Sequence, residues 1–184
     1  AGGILKVGRF EMKKNVSLEE AQQLVLENCP VMETEYANLT DLLGRILAED
    51  IKAGENIPPF DRSPYDGYAF RAEDTAHASE ANPVRLEVIE EVPAGYAPRK
   101  EVGRGQAVKI LTGAPIPQGA DAVVKYEDTE LSGNTVLIFS KVKSGDNIVT
   151  AGEDVPADEI IACKGTKVTP PIVGLMASLG ITGA

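Results

Sequence analysis

Two short carboxylates, those of Asp61 and Asp66, lie in a stretch that the sequence makes rigid. Three prolines fix the backbone angle φ there and favour extended geometry in the residues before them: Pro58, Pro59 and Pro64. Asp66-Gly67 is a turn-forming pair in which glycine can adopt a positive φ. Two interpretations stay open. The stretch is either a rigid turn between domains, or a frame that aims its carboxylates at a ligand, a metal or a partner surface.

The sequence offers few residues for thiolate or imidazole chemistry. Cys29 and Cys163 are the only cysteines and lie far apart without C-x-x-C spacing, and His77 is the only histidine. One chain therefore cannot assemble a zinc site from thiolates and imidazoles. We predict that both cysteines are buried, reduced core residues and that His77 lies on the solvated surface.

Composition and charge narrow the class of partner. The chain has 184 residues, a net charge of −10 and a pI near 4.6. Such a charge repels phosphates, so we expect no nucleic acid and no anionic membrane as partner, which leaves small molecules and proteins. No stretch approaches the roughly 20 apolar residues of a transmembrane helix, and no signal peptide is apparent. The sequence therefore predicts a soluble, cytoplasmic protein of one or two domains.

Helical patterns occur toward both ends of the chain. Ser17-Leu18-Glu19-Glu20 is a capping box that predicts a helix ending before Pro30. Thr40 is expected to cap a second helix, with an apolar stripe of Leu42, Leu43, Ile46 and Leu47. Thr169 and Pro170 are expected to begin a last helix, and Gly180 to end it.

Strand patterns fill the middle of the chain, at residues 84–89, 107–111, 122–126 and 135–139, with a hairpin turn at 132–134. A further hairpin is predicted from 160–161 to 166–168. The predicted fold class is α+β. A discontinuous mixed α/β domain, residues 12–60 plus 149–184, is interrupted by a small antiparallel β-barrel-like domain at residues 61–148.

Four motifs in order resemble the molybdopterin molybdenumtransferase family, of the MoeA and gephyrin E-domain type. They are residues 58–71, residues 110–124 with Thr112-Gly113-Ala114-Pro115, residues 145–154 ending in Gly152-Glu153-Asp154, and residues 177–181. The resemblance runs from about Ser17 to Ile181 and implies the first two domains of an elongated homodimer. The family's enzyme inserts molybdate into adenylylated molybdopterin, releases AMP and involves Mg²⁺. We therefore expect this chain, without a following α/β substrate domain, to be inactive alone.

The resemblance also implies site residues. Asp66 and Asp154 become candidate catalytic residues, Thr112 and Gly113 candidate substrate-binding residues, and Asp66 a candidate metal ligand. Carboxylate oxygens suit Mg²⁺, and a Thr-Gly loop can present a hydroxyl and backbone N–H groups to an oxyanion or phosphate. Val149-Thr150-Ala151 stands where several members carry arginines, so a guanidinium contact made there is absent in this chain.

Two other functions remain open. One is a non-catalytic dimerisation or scaffold module, because gephyrin-type relatives also bind other proteins. The other, independent of the resemblance, is a β-barrel protein that binds a small ligand. Local alternatives also remain: Asp66 as the acceptor of a turn, Thr112 as a hydroxyl at a strand end, and Asp154 as a solvated loop acid.

Overall fold

The computed structural model describes residues 16–184, which form two units, one ending at Tyr36 and the other spanning Ala37–Ala184. In the first unit, helix α1 spans Leu18–Glu27. The Ser17 Oγ accepts a hydrogen bond from the Glu20 backbone N–H at 3.1 Å, which confirms the predicted cap. The helix has no buried residue. Leu18, Val25 and Leu26 are exposed, whereas Ala21 and Leu24 are half-buried.

The second unit contains eight strands and one α-helix among its described residues. In chain order the strands are β1 (Ile51–Lys52), β2 (Gly67–Phe70), β3 (Val84–Val92), β4 (Gln106–Ile110), β5 (Ala122–Lys125), β6 (Thr129–Ser132), β7 (Thr135–Ile138) and β8 (Ile160–Ala162). Helix α2 spans Pro170–Ser178.

Six strands form one sheet in the order β5-β2-β4-β3-β7-β6. Strands β6 and β7 form the predicted hairpin, since Ser132 pairs with Thr135 across a two-residue loop. The predicted antiparallel arrangement needs a correction, because β3 and β4 are parallel whereas the other four pairs are antiparallel. The connection at 93–105 carries the chain back along the sheet, so β4 starts at the same end as β3 and the sheet is mixed.

The sheet must curl, because its two edge strands are neighbours in the chain. Only Tyr126–Asp128 separates β5 from β6. Six flat strands about 4.8 Å apart would hold the edges roughly 24 Å apart. The four residue steps from Lys125 to Thr129 span at most about 14 Å. A curled sheet resolves this conflict, and buried side chains lie on both of its faces.

Alternation along the strands divides the buried side chains between those faces. One cluster contains Tyr68, Phe70 and Val124, and another contains Ala69, Val108 and Val123. All four residues of β2 are buried, which is the pattern of a strand covered on both sides.

Glycine is required at position 67 by space rather than by backbone conformation. The sequence suggested a turn with positive φ, but Gly67 is the first residue of β2 and has no positive φ. A Cβ there would lie 1.9 Å from the carbonyl oxygen of Val124 in the adjacent strand β5. Because that oxygen belongs to the backbone, it cannot move without distorting the strand.

The predicted second helix is wrong. Only a short 3₁₀ turn, Leu39–Asp41, forms, because Gly44 has a φ of +82° and the following residues pair in extended form with 165–168. The Leu47 N–H donates to Thr166 O at 3.0 Å, and the Gly165 N–H donates to Leu47 O at 2.8 Å. The predicted 160–168 hairpin is also wrong, since β8 pairs instead with β1.

Helix α2 begins and ends as predicted. Thr169 occupies the N-cap position, although its side chain makes no capping bond, and Pro170 is the first helical residue. Gly180 has a φ of 69°, and the Ile181 N–H donates to Met176 O at 2.9 Å, as in a glycine-terminated helix. Met176 is fully buried.

The two cysteines and the histidine all lie at the surface of the protein. Cys29 and Cys163 are free, but both are exposed, so the prediction of buried cysteines is wrong. Cys29 follows the end of α1 and Cys163 comes directly after β8, and neither belongs to a hydrophobic core cluster of the described residues. His77 is exposed, as predicted.

The chain enters and leaves the six-stranded sheet through paired segments. Arg62 and Val149 exchange backbone hydrogen bonds of 2.9 and 3.0 Å, and Ile57 and Val155 exchange bonds of 2.8 and 3.0 Å. The proposed domain bounds, 12–60 plus 149–184 and 61–148, stay a prediction, and residues 12–15 lie outside the described part of the chain. Neither helix of residues 16–184 is long and apolar enough to cross a membrane.

Gly67→Ala is expected to destabilise the protein by about 3 kcal/mol, because its methyl group must displace a backbone carbonyl. Gly174→Ala is a matched control: nothing lies within 4 Å of its Cβ position in α2. There the same change should stabilise by about 0.5–1 kcal/mol through helix propensity. Urea unfolding measures the change in the free energy of unfolding for each variant. Equal changes in the two variants would contradict the steric explanation.

Candidate functional site

Asp66 and Thr112 meet because strands β2 and β4 are in register. Gly67 pairs with Ile110, so the residue before β2 lies beside the residues that follow β4. Asp66 Oδ1 accepts two hydrogen bonds from Thr112, from the backbone N–H at 2.8 Å and from the hydroxyl at 2.7 Å. The structure thus brings together two of the residues that the motifs singled out.

The Asp66 carboxylate is exposed and ionised at neutral pH. The Thr112 N–H and then the Thr112 hydroxyl hold the pKa of Asp66 below its ordinary value of 3.8, and the charge of Lys109 contributes in the same direction. In the described part of the chain, both hydrogen bonds to this carboxylate end on Oδ1. Oδ2 accepts no hydrogen bond from the described residues, so it keeps its acceptor capacity for a ligand.

The turn at Thr112 and Gly113 is fixed by Ser63. Gly113 has a φ of +83°, and its N–H donates to Ser63 O at 2.8 Å. The Ser63 N–H in turn donates to Ala114 O at 3.0 Å. Since the Thr112 donors bond Asp66, the donors predicted to hold an oxyanion are all engaged within the chain.

Ser63 is a residue that the sequence analysis missed. It is fully buried, and its Oγ donates to Tyr65 O at 2.5 Å and accepts from the Tyr65 N–H at 3.3 Å. Its position before Pro64 indicated extended backbone, but nothing local indicated its partner fifty residues later. Ser63 joins the proline-rich stretch to the Thr112 turn.

The other two carboxylates are held differently. Asp61 Oδ1 accepts the Ala151 N–H at 2.8 Å, so Asp61 braces the chain segment that leaves the sheet. The backbone N–H of Asp154 donates to Ile57 O at 2.9 Å, and its side chain is exposed. No hydrogen bond of the described residues joins Asp154 to Asp66 or Thr112.

A cluster of two tyrosines and two charges lies beside Asp66. The rings of Tyr68 and Tyr126 are 5.1 Å apart between centroids, and Lys109 Nζ lies 5.6 Å from the Tyr126 ring. Lys109 also pairs with Glu91 at 3.2 Å. Burial raises the pKa of Tyr126, so its phenol stays neutral, and its backbone N–H donates to Asp66 O at 3.1 Å. The cluster supports the backbone on which Asp66 is carried.

The described residues do not by themselves make a metal site. Within 16–184, no group of three or more His, Cys, Asp or Glu side chains is arranged to hold an ion. Asp66 offers one oxygen, which is less than the coordination of a cation held by protein alone. Any metal at this place needs ligands other than these side chains.

Comparison with known proteins identifies relatives across this region. The family model described as MoeA N-terminal region (domain I and II) matches residues 16–180. The molybdopterin molybdenumtransferase of Bacillus subtilis (strain 168) is 47% identical over 175 residues, which cover 93% of this chain and 41% of the relative. Molybdopterin molybdenumtransferase 2 of Mycobacterium tuberculosis is 40% identical, covering 90% of this chain and 41% of its own length.

A solved structure has the same fold. The molybdopterin biosynthesis moeA protein from Pyrococcus horikoshii OT3 superposes with a TM-score of 0.84 at 45% identity, over 90% of this chain and 44% of that protein. The chain therefore spans about two fifths of the length of the relatives that it matches.

The depressed pKa of Asp66 predicts a pH-dependent contribution to stability. A lowered folded-state pKa contributes stability that is present above the unfolded value, about 3.8, and is lost as pH falls through the lower folded value. Wild type should therefore lose stability relative to Asp66→Asn on acidification below about pH 4. Urea unfolding of both proteins from pH 7 downward measures this, and parallel profiles would contradict an ionised Asp66–Thr112 contact.

Proposed function

The chain belongs to the MoeA N-terminal family, and on that premise we propose that it forms part of an enzyme inserting molybdate into adenylylated molybdopterin with release of AMP. The observation that carries this proposal is the family match over residues 16–180. Relatives named for this transferase activity align along nearly all of the chain at 37–47% identity. Molybdate and adenylylated molybdopterin are accordingly the proposed substrates.

Asp66 is the proposed centre of this chain's contribution. Its carboxylate is exposed, ionised and fixed by two hydrogen bonds, both of which end on Oδ1. A carboxylate held in this way can orient a hydrogen-bond donor of the substrate without reorganising. Asp154 supplies a second exposed carboxylate, and Thr112 with Gly113 forms the turn against which Asp66 rests.

Mg²⁺ is proposed as a participant, although the described side chains do not form a complete site for it. Mg²⁺ at phosphate sites is commonly held by one or two carboxylates together with water and substrate oxygens. Asp66 Oδ2 would be the oxygen given by this chain. The ion would neutralise phosphate charge, while the residues described above act by orientation alone.

We propose that the residues of this chain supply only one side of the substrate site. The chain corresponds to 41% of the matched transferases, so most of such an enzyme lies outside the aligned region. Catalysis by positioning and electrostatic stabilisation requires all sides of a site to be in place. The chain alone is therefore proposed to bind substrate weakly and to turn none over.

A homodimer is the proposed assembly, and a non-catalytic dimerisation or scaffold role is the second candidate. The observation favouring self-association is the exposed apolar surface of the first unit, where Leu18, Val25 and Leu26 are 71%, 65% and 70% exposed. Exposed apolar side chains on an amphipathic helix commonly mark an interaction surface. The two candidates differ in whether Asp66 is needed for turnover.

A chimera tests the proposed function directly. Residues 16–180 of this chain are placed in the Bacillus subtilis relative in place of its matched region, and metal insertion is assayed. We expect turnover by the chimera, and a loss of about 10- to 100-fold in Asp66→Asn, the range found for residues that orient a metal or substrate group. The melting temperature should stay nearly unchanged, because Asn retains an acceptor oxygen for Thr112.

Glu130→Gln is the matched control, since it removes one negative charge from an exposed residue of β6. It should leave turnover unchanged. If the Asp66→Asn chimera turns over at the wild-type rate, Asp66 has only a structural role, and the scaffold candidate is favoured. An Asp66→Asn chimera that unfolds would show instead that the negative charge is needed for the turn itself.

The purified chain alone should show no metal insertion under the same conditions, because one side of the site cannot position both reactants. The assay compares the chain, the chimera and the intact Bacillus subtilis relative at equal concentration. Turnover by the chain alone would overturn the proposal that it contributes only part of the site.

A further inference from the structure

We propose that Thr112 is a positioning residue, which acts by orienting the Asp66 carboxylate rather than by contacting substrate. Both of its polar hydrogens, on the backbone nitrogen and on Oγ, point to the same oxygen of Asp66, at 2.8 and 2.7 Å. The expected effect of Thr112 on turnover rests on the proposed function. Its effect on the orientation of the Asp66 carboxylate does not.

Two donors on one oxygen fix a carboxylate more completely than a single donor does. A carboxylate held at Oδ1 by a backbone N–H alone can still rotate about its Cβ–Cγ bond. The hydroxyl supplies a second direction, so the plane of the group is set and Oδ2 has a defined position. Thr112 thereby determines which oxygen of Asp66 a ligand meets and from which side.

The surrounding turn leaves Thr112 little capacity for a ligand of its own. The Gly113 N–H bonds Ser63 O at 2.8 Å, and the Ala114 N–H bonds Leu111 O at 2.9 Å. Ser63 is fully buried, so its hydrogen bonds attach this turn to the interior of the protein. An oxyanion at Thr112 would have to displace an ionised Asp66 from its donors, and two negative groups would then compete for the same hydrogens.

The position of Asp66 relative to Thr112 is set by the pairing of the strands as well as by the turn. Asp66 precedes Gly67, whose approach to Val124 O leaves no room for a side chain. Thr112 lies two residues after Ile110, the partner of Gly67 in β4. Because the two strands are locked in register at this end, the Asp66–Thr112 contact is present before any ligand arrives.

A double-mutant cycle in the chimera distinguishes positioning from direct contact. Thr112→Val keeps the shape and the backbone N–H but removes the hydroxyl, and we expect it to lower kcat about tenfold with little change in KM. In the Asp66→Asn background, Thr112→Val should cause no further loss, because its effect passes through that carboxylate. If the fall in kcat of the double variant equals the product of the two single falls, Thr112 contacts substrate itself and the proposal is overturned.

An NMR titration of the 184-residue chain tests the geometry without turnover. Thr112→Val should raise the pKa of Asp66, and Thr112→Ser, which restores the hydroxyl, should return it to the wild-type value. Thr112→Ala provides a second hydroxyl-free variant in case valine disturbs the fold. An unchanged Asp66 pKa in the folded hydroxyl-free variants would overturn the inference. A chimera without turnover would defeat the proposed function, yet the titration would still decide the role of Thr112.

Discussion

The close approach of Gly67 to the Val124 carbonyl is the constraint on which the site depends. Only a hydrogen fits at the side-chain position of Gly67. Because there is no Cβ, β2 can lie between β4 and β5. That placement sets Gly67 opposite Ile110, and the register then delivers Asp66 to Thr112. Tight packing at one backbone atom therefore determines the position of a functional group one residue away.

Asp66 stays ionised although the protein as a whole is strongly acidic. The chain has a net charge of −10, and an exposed carboxylate adds to that repulsion. Two Thr112 donors and the nearby Lys109 offset the cost of keeping Asp66 ionised. Because Lys109 is itself paired with Glu91, its charge is largely offset, and stabilisation of the Asp66 carboxylate comes mainly from directed hydrogen bonds.

Local signals in the sequence predicted much of the structure, and pairing between distant segments decided the rest. The Ser17 cap and the Gly180 terminus follow from neighbouring residues alone, and both were confirmed. The apolar stripe after Thr40 has helical spacing, yet its backbone bonds residues 165–168, more than one hundred positions away. Motif resemblance identified Asp66 and Thr112, but their contact and the role of Ser63 depend on strand register, which periodicity does not encode.

The same geometry bears on the chemical ageing of the protein. Among aspartate-containing pairs, Asp-Gly is the one most prone to isoaspartate formation, in which the glycine backbone nitrogen attacks the aspartate side-chain carbonyl, closes a five-membered ring and expels water. Here Gly67 is held in a strand between two neighbours, and the Asp66 carboxylate is turned toward Thr112. The ionised group is also a poor electrophile. The contacts that orient Asp66 thus protect the peptide bond that follows it over the lifetime of the molecule.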